Sequence, residues 1–234
     1  RTGWTSLESR CDKKKPMEVN RMGLTENIME KMVKQCRKPT GIFGRLMARG
    51  MNYGHKVAGW GLNHVSVNKD HVILDVGCGG GKTVNTLAKM AAEGKVYGID
   101  YSEDSVAVAS KINKRYIDTG KVEILHASVE SLPFPDNFFD LVTAVETYYF
   151  WPSLIDNLIE LRRVLKEGGS VVLINEVYRH ERFEKRNTKW ARLGDFTYHL
   201  PEEFRKFLGD AGYSSIKIDV LEDKNWIVAC GVKE

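Results

Sequence analysis

The stretch DVGCGGGKT, Asp75 to Thr83, decides the reading of this chain. It follows the short apolar run HVIL and precedes the helical pattern KTVNTLAKMAAE. An apolar run of this length ending in glycine reads as a buried parallel strand, so the glycines form a strand-to-helix loop. A phosphate-binding loop needs G-x-x-x-x-G-K-[ST]. Gly81-Lys82-Thr83 supplies the end, but the opening position falls on Val76, and Gly77 comes one residue late. A dinucleotide loop needs G-x-G-x-x-G. Gly77 and Gly79 fit, but the last position is Lys82, whose bulk opposes the close helix–strand packing that the third glycine serves. The loop reads G-x-G-x-G instead, with the acidic Asp75 two residues ahead.

Outward from the loop the alternation continues. KVYGID is a strand ending at Asp100. Ser102 caps the helix EDSVAVASKINKRYIDT, which Gly120 stops. VEIL is a strand, and FFDLVTAVE is another after a Pro-rich bend. SLIDNLIELRRVLK is a helix ended by Gly168-Gly169, and SVVLINE is a strand. PEEFRKFLGDAG is a helix with Pro201 in its first turn, and YSSIKIDVLEDKNWIVACGVK is a closing hairpin. Strands alternating with helices predict an α/β, doubly wound, mainly parallel sheet. Residues 177–198 interrupt that rhythm and read as a substrate-cap insertion or a charged linker helix.

Upstream, residues 25–36 have a helical pattern, as do residues 42–65. In the second, Gly50, Gly54, Gly59 and Gly61 imply a break, a bend or close approach of a neighbour. The expected division is a disordered tail or vector-derived remnant over 1–20, an N-terminal helical cap over 21–66, and one domain over 67–234. Residues 1–60 hold 13 Lys/Arg against 5 Asp/Glu, and the remainder holds 22 against 26. The mildly acidic body argues against a nucleic-acid groove. Cys11, Cys36, Cys78 and Cys230 are scattered without C-x-x-C spacing, so neither a disulfide framework nor a zinc site is expected. No apolar run reaches the roughly 20 residues of a membrane span, and the first residues carry no apolar signal core. A cytoplasmic protein, monomer or homodimer, is the expectation.

Charge narrows the ligand. An acid beside the glycine loop repels a pyrophosphate. S-adenosylmethionine has no phosphate; it carries a sulfonium, an ammonium and a carboxylate, which suit an acid at the strand tip and a helix N-terminus beyond it. Asp100, 23 residues after Gly77, ends the second strand where a carboxylate accepts ribose hydroxyls, though a nicotinamide dinucleotide uses an acid there too.

VILDVGCGGGKTV, VYGIDYSEDSVAVA, HASVESLPFPDNFFDLV and ELRRVLKEGGSVVLINE together resemble the class I S-adenosylmethionine-dependent methyltransferases, in order and at normal spacing over about residues 70–175. The closing antiparallel hairpin fits the same family, and RGMNYGHKVAGWGLNHV resembles the N-terminal helix of its bacterial small-molecule members. The resemblance implies a Rossmann-like seven-stranded sheet and methyl transfer to a small-molecule acceptor, releasing S-adenosylhomocysteine. It implies that Asp75, Gly77, Cys78, Gly79 and Gly81 line the methionine and ribose portions, that Asp100 holds the ribose, and that Tyr101 lies against adenine. Ser128 and Val129 would face the adenine edge; many family members carry Asp at the position of Ser128. Glu146, at the tip of the fourth strand, would sit by the methionine end or the acceptor.

Methyl transfer is an in-line displacement, so alignment and desolvation matter most, with a base needed only where the nucleophile must lose a proton. The aromatic run Tyr148-Tyr149-Phe150-Trp151 falls at the carboxyl end of the sheet, as a pocket wall or as a hydrophobic plug. Tyr148 is the preferred pocket residue. Tyr53 and His55, on the cap, face the donor or acceptor if the cap forms a lid. His55, Tyr148 and Glu146 are the catalytic candidates, with His199 a weaker base candidate. No histidine is paired as metal ligands are, so no metal is expected. A non-catalytic nucleoside-binding module and a nicotinamide-dependent oxidoreductase remain the alternatives; Lys82 speaks against the second.

Overall fold

In the computed structural model, residues 39–41, 44–46 and 56–234 are described. The expected helix over 25–36, Tyr53, His55 and, within the 42–65 pattern, residues 42–43 and 47–55 lie outside the described residues, as do Cys11 and Cys36.

Among the described residues, seven strands form one sheet. They are β1 (Val72–Val76), β2 (Lys95–Asp100), β3 (Val122–His126), β4 (Phe139–Val145), β5 (Leu165–Asn175), β6 (Ser214–Leu221) and β7 (Trp226–Val232). Their order across the sheet is β3-β2-β1-β4-β5-β7-β6. Strands β1 to β5 pair parallel, and β7 runs antiparallel between β5 and β6. The sequence expectation of a doubly wound sheet closed by a hairpin is met.

Strand side chains alternate between faces, and both faces of the central strands are buried. Ile73, Val96, Leu141 and Val172 join one core layer, with α1 (Lys56–Leu62) and α2 (Lys82–Met90) packed on it. Leu74, Val142, Val171 and Leu173 join the other, under α5 (Leu154–Val164) and α7 (Pro201–Asp210). Burial of each such aliphatic side chain contributes about 1.5–3 kcal/mol. The sequence expectation of close approach at the glycines of 42–65 is met at Gly61. A methyl group there would sit 2.5 Å from Ile174 Cγ2, so glycine lets α1 lie directly on β5.

Two boundaries differ from the sequence reading. The helix after Ser102 is split at Asn113 into α3 (Glu103–Ile112) and α4 (Lys114–Ile117). The buried Asn113 amide donates to Gly81 O at 2.9 Å and Ala109 O at 3.0 Å, so the break ties this helix to the glycine loop. Helix α5 ends at Val164, short of Gly168-Gly169, because β5 begins at Leu165, which pairs with Phe139. Lys166 Nζ reaches Asp140 Oδ1 at 2.7 Å across the same two strands. Ser102 caps α3 as expected, its hydroxyl accepting from Ser105 N.

The 177–198 segment folds as a short 3-10 turn followed by α6 (Glu184–Gly194). Asn187, fully buried, donates to Tyr178 O at 3.0 Å and to Asn225 Oδ1 at 2.9 Å. Asn225 has left-handed φ at the β6–β7 turn and donates to the same Tyr178 carbonyl. These bonds staple the insertion to the hairpin.

Candidate active site

The strand order reverses between β1 and β4, and open α/β sheets bind ligands outside the carboxyl ends of the strands at that point. A cavity of about 250 Å³ lies there. The loop after β1 forms its floor. Gly77, Gly79 and Gly81 all have positive φ, and the Cys78, Gly79 and Gly81 amides donate to Ile99 O, Asp100 Oδ2 and Cys78 O, which fixes the loop. Gly77 also lies against Thr147, so a side chain would be excluded there by contact as well as by conformation.

Asp100, at the end of β2, accepts from Gly79 N through Oδ2 and from Ser102 N through Oδ1, both at 2.9 Å. It thereby locks the first two loops together. Each oxygen keeps a second lone pair for an incoming hydroxyl. Burial raises its carboxyl above the ordinary range, and the two amide bonds work against that shift. Asp75, 1 % exposed, accepts from Thr143 Oγ1 at 2.8 Å through Oδ1, while its Oδ2 is buried without a partner. Burial, offset in part by the Thr143 bond and reinforced by the charge of Asp100, pushes Asp75 up to about 7. Burial and the same two acids hold the Cys78 thiol well above its usual value, so it stays protonated and unreactive.

Glu146 carries a left-handed φ of 59°, a strained state for a residue with a side chain. Its Oε1 accepts from Glu176 N, and its Oε2 accepts from the Tyr149 hydroxyl at 2.9 Å. Burial and the nearby Glu176 carboxylate push it up to about 7.

Of the residues singled out from the sequence, Asp75, Gly77, Cys78, Gly79, Asp100, Tyr101, Ser128, Val129 and Glu146 all line the cavity. Gly81 stands one step outside it. It is the N-cap of α2, and its carbonyl accepts from Asn113. Tyr148 falls on the plug side of the alternatives left open for it. Its ring is 2 % exposed and packs on Tyr149 and Phe204 at 5.1 and 5.0 Å, so Phe150 and Trp151 are the rings on the wall. Its hydroxyl is buried without a hydrogen-bond partner, and burial raises it far above an ordinary phenol, which removes it as a proton acceptor. His199 packs edge-on against Phe207 at 4.9 Å, away from the cavity wall.

Several wall residues escaped the sequence reading. Pro39 lines the cavity, its carbonyl accepting from Ser102 Oγ at 2.5 Å, and its neighbours Gly41 and Arg45 bind Asp104 at the start of α3. Glu130 also lines it, with Ser128 Oγ donating to Glu130 Oε2 at 3.0 Å. A carboxylate thus stands on the wall two residues after Ser128. Among the described lining residues four are acidic, Asp75, Asp100, Glu130 and Glu146, and none is Lys, Arg or His. Among the described residues no group of three or more His, Cys, Asp or Glu is gathered as metal ligands, and no helix is long and apolar enough to cross a membrane.

Residues 74–173 match a family model described as a methyltransferase domain. A demethylmenaquinone methyltransferase of Bacillus licheniformis is 36 % identical over 111 residues, 47 % of this chain and 47 % of that one. One from Staphylococcus saprophyticus is 27 % identical over 180 residues, 67 % of this chain and 76 % of the relative. The match thus spans about half the length of the first of these relatives. Among solved structures, an S-adenosylmethionine-dependent methyltransferase from Aquifex aeolicus superposes with a TM-score of 0.68 at 21 % identity, covering 81 % of this chain and 98 % of that one.

Proposed function

We propose that the chain carries a class I methyltransferase domain of the S-adenosylmethionine-dependent superfamily, a reading that its sequence resemblance, its fold and the matched segment support. We propose that it transfers a methyl group from S-adenosylmethionine to a small-molecule acceptor, releasing S-adenosylhomocysteine. The observation that carries this reading is the cavity's charge. A site whose described wall holds four carboxylates and no basic side chain suits a cationic nucleoside and repels a diphosphate. The buried, unpartnered Oδ2 of Asp75 fits such a group, because an orphaned acceptor of this kind is costly unless a ligand supplies the donor or charge.

When bound, the sulfonium supplies an activated methyl group and a good leaving group. The protein's part is to hold and orient. Asp100 takes the ribose hydroxyls on its remaining lone pairs. Tyr101, Val129 and the Ser128–Glu130 pair flank the adenine. The N-terminal end of α2 meets the amino-acid carboxylate. Glu146, held by Tyr149 and the Glu176 amide, stands by the methionine end or takes a proton from a protic acceptor. Phe150 and Trp151 give that end an apolar rim that excludes water. Such a rim suits a flat apolar acceptor, and demethylmenaquinone, named for the relatives, belongs among the first to be tried.

Incubation with S-adenosylmethionine labelled in the methyl group, against demethylmenaquinone and a panel of metabolite fractions, tests the reading. Label should move into a small molecule with one equivalent of S-adenosylhomocysteine. Tight nucleoside binding with no transfer to any fraction would favour the non-catalytic module instead.

A further inference from the structure

Transfer changes the charge of the bound nucleoside. The methyl carbon–sulfur bond breaks, its electron pair stays on sulfur, and the methyl leaves with the acceptor. A sulfonium becomes a neutral thioether, while the ammonium, carboxylate, ribose and adenine are unchanged. A wall that responds to charge alone can therefore tell donor from product.

This wall is built to respond. Asp75 lines a cavity whose described lining holds no cation, and its Oδ2 is buried beside that cavity with no hydrogen-bond partner. The groups that face Asp75 are the neutral hydroxyl of Thr143 from β4, the Asp100 carboxylate from β2 and the protonated thiol of Cys78 from the loop. None of them neutralises it. Glu146 faces Tyr148 and Tyr149 from the turn after β4, the Glu176 carboxylate after β5, and Arg186 of α6. The Arg186 guanidinium is committed to Asn187 and Asn225, its Nη2 donating to Asn225 Oδ1 at 2.7 Å, and it does not line the cavity. The two acids are left to be neutralised by a proton or by the ligand.

Resting on the proposed donor, we infer that Asp75, assisted by Glu146, sorts the methyl-loaded nucleoside from the spent one by charge, so that the loss of the sulfonium itself weakens the hold on the product. The preference exists only while Asp75 is ionised. Burial places its titration near pH 7, so the sorting is present above neutrality and fades below it. Donor binding then draws Asp75 into its ionised form and releases a proton, and product binding does so less.

Calorimetric titration of the intact chain with S-adenosylmethionine and S-adenosylhomocysteine at pH 6, 7 and 8 reads this directly. The ammonium and carboxylate are common to both ligands and cancel in the ratio of dissociation constants. The ratio of product to donor Kd should rise about tenfold from pH 6 to pH 8, the limit for one linked carboxylate titrating near 7. The slope should fall most in Asp75→Asn, less in Glu146→Gln, and vanish in the double variant. At pH 7, titrations in buffers of different ionisation heat should show more protons released by the donor than by the product. A wild-type ratio independent of pH overturns the inference, as does a pH dependence as steep in Asp75→Asn as in the wild type. If neither nucleoside binds the wild type at any pH, the proposed function falls with it; if both bind with a constant ratio, only the sorting falls.

Discussion

Replacing Asp75 by Asn should make the unliganded protein more stable, and increasingly so as the pH rises. The buried carboxyl titrates near 7 when folded and near 3.8 when unfolded. An acid with a raised folded-state value costs nothing below its unfolded value. Its cost grows as pH climbs between the two values and is constant above the folded one. Each unit of that interval is worth about 1.36 kcal/mol. Asn has nearly the same shape, keeps an oxygen for the Thr143 hydroxyl, and cannot ionise. The stability advantage of Asp75→Asn should therefore widen by about 2–3 kcal/mol between pH 5 and pH 8. In a chain of this size that is roughly 5–10 °C in Tm. Melting both proteins without ligand at the two pH values measures it, and groups common to both cancel in the difference. Melting curves that shift in parallel would refute the reasoning, because Asp75 would then not be a desolvated acid.

Other outcomes follow from the same geometry. Asp100→Ala should weaken S-adenosylmethionine binding by roughly ten- to a hundredfold, the worth of a charged hydrogen-bonding group, and unchanged affinity would mean that Asp100 does not hold the ribose. Gly61→Ala should lower stability by about 1–3 kcal/mol in denaturant melts, because the new methyl meets Ile174; a neutral result would show that α1 is free to move off the sheet. Asn187→Ala strands part of the Tyr178–Asn225 staple and should cost about 1–3 kcal/mol, with faster hydrogen exchange over 177–198 as the local sign. Equal exchange in both proteins would remove the staple.

What the sequence revealed and what it hid have physical reasons. The strands around VILDV and KVYGID were legible because both faces are buried, which leaves compact apolar runs bounded by polar turns. The hairpin was legible because Glu222-Asp223-Lys224 separates the alternating apolar positions of β6 from the apolar run of β7. The start of β5 was hidden. Leu165, Lys166 and Glu167 suit a helix well, and only pairing of Leu165 with Phe139 and of Lys166 with Asp140 turns them into strand. At the site, the glycines and the two strand-tip acids declared themselves through position. Glu130 did not, because its place on the wall depends on a side-chain bond from Ser128. Tyr148 and Phe150 look alike in sequence, and the 3-10 turn at Tyr148–Phe150 decides which ring faces the core and which the cavity. Nothing in the sequence distinguishes the free oxygen of Asp75 from the bonded one; that follows from the register that sets Thr143 beside it.

The central claim, that this cavity receives a cationic sulfur nucleoside and not a diphosphate, is tested most directly by titrating the protein with S-adenosylmethionine and with NADH at pH 8. Saturable micromolar binding of the first with no heat from the second is the predicted result. Saturable NADH binding with no response to S-adenosylmethionine would contradict the account at its root.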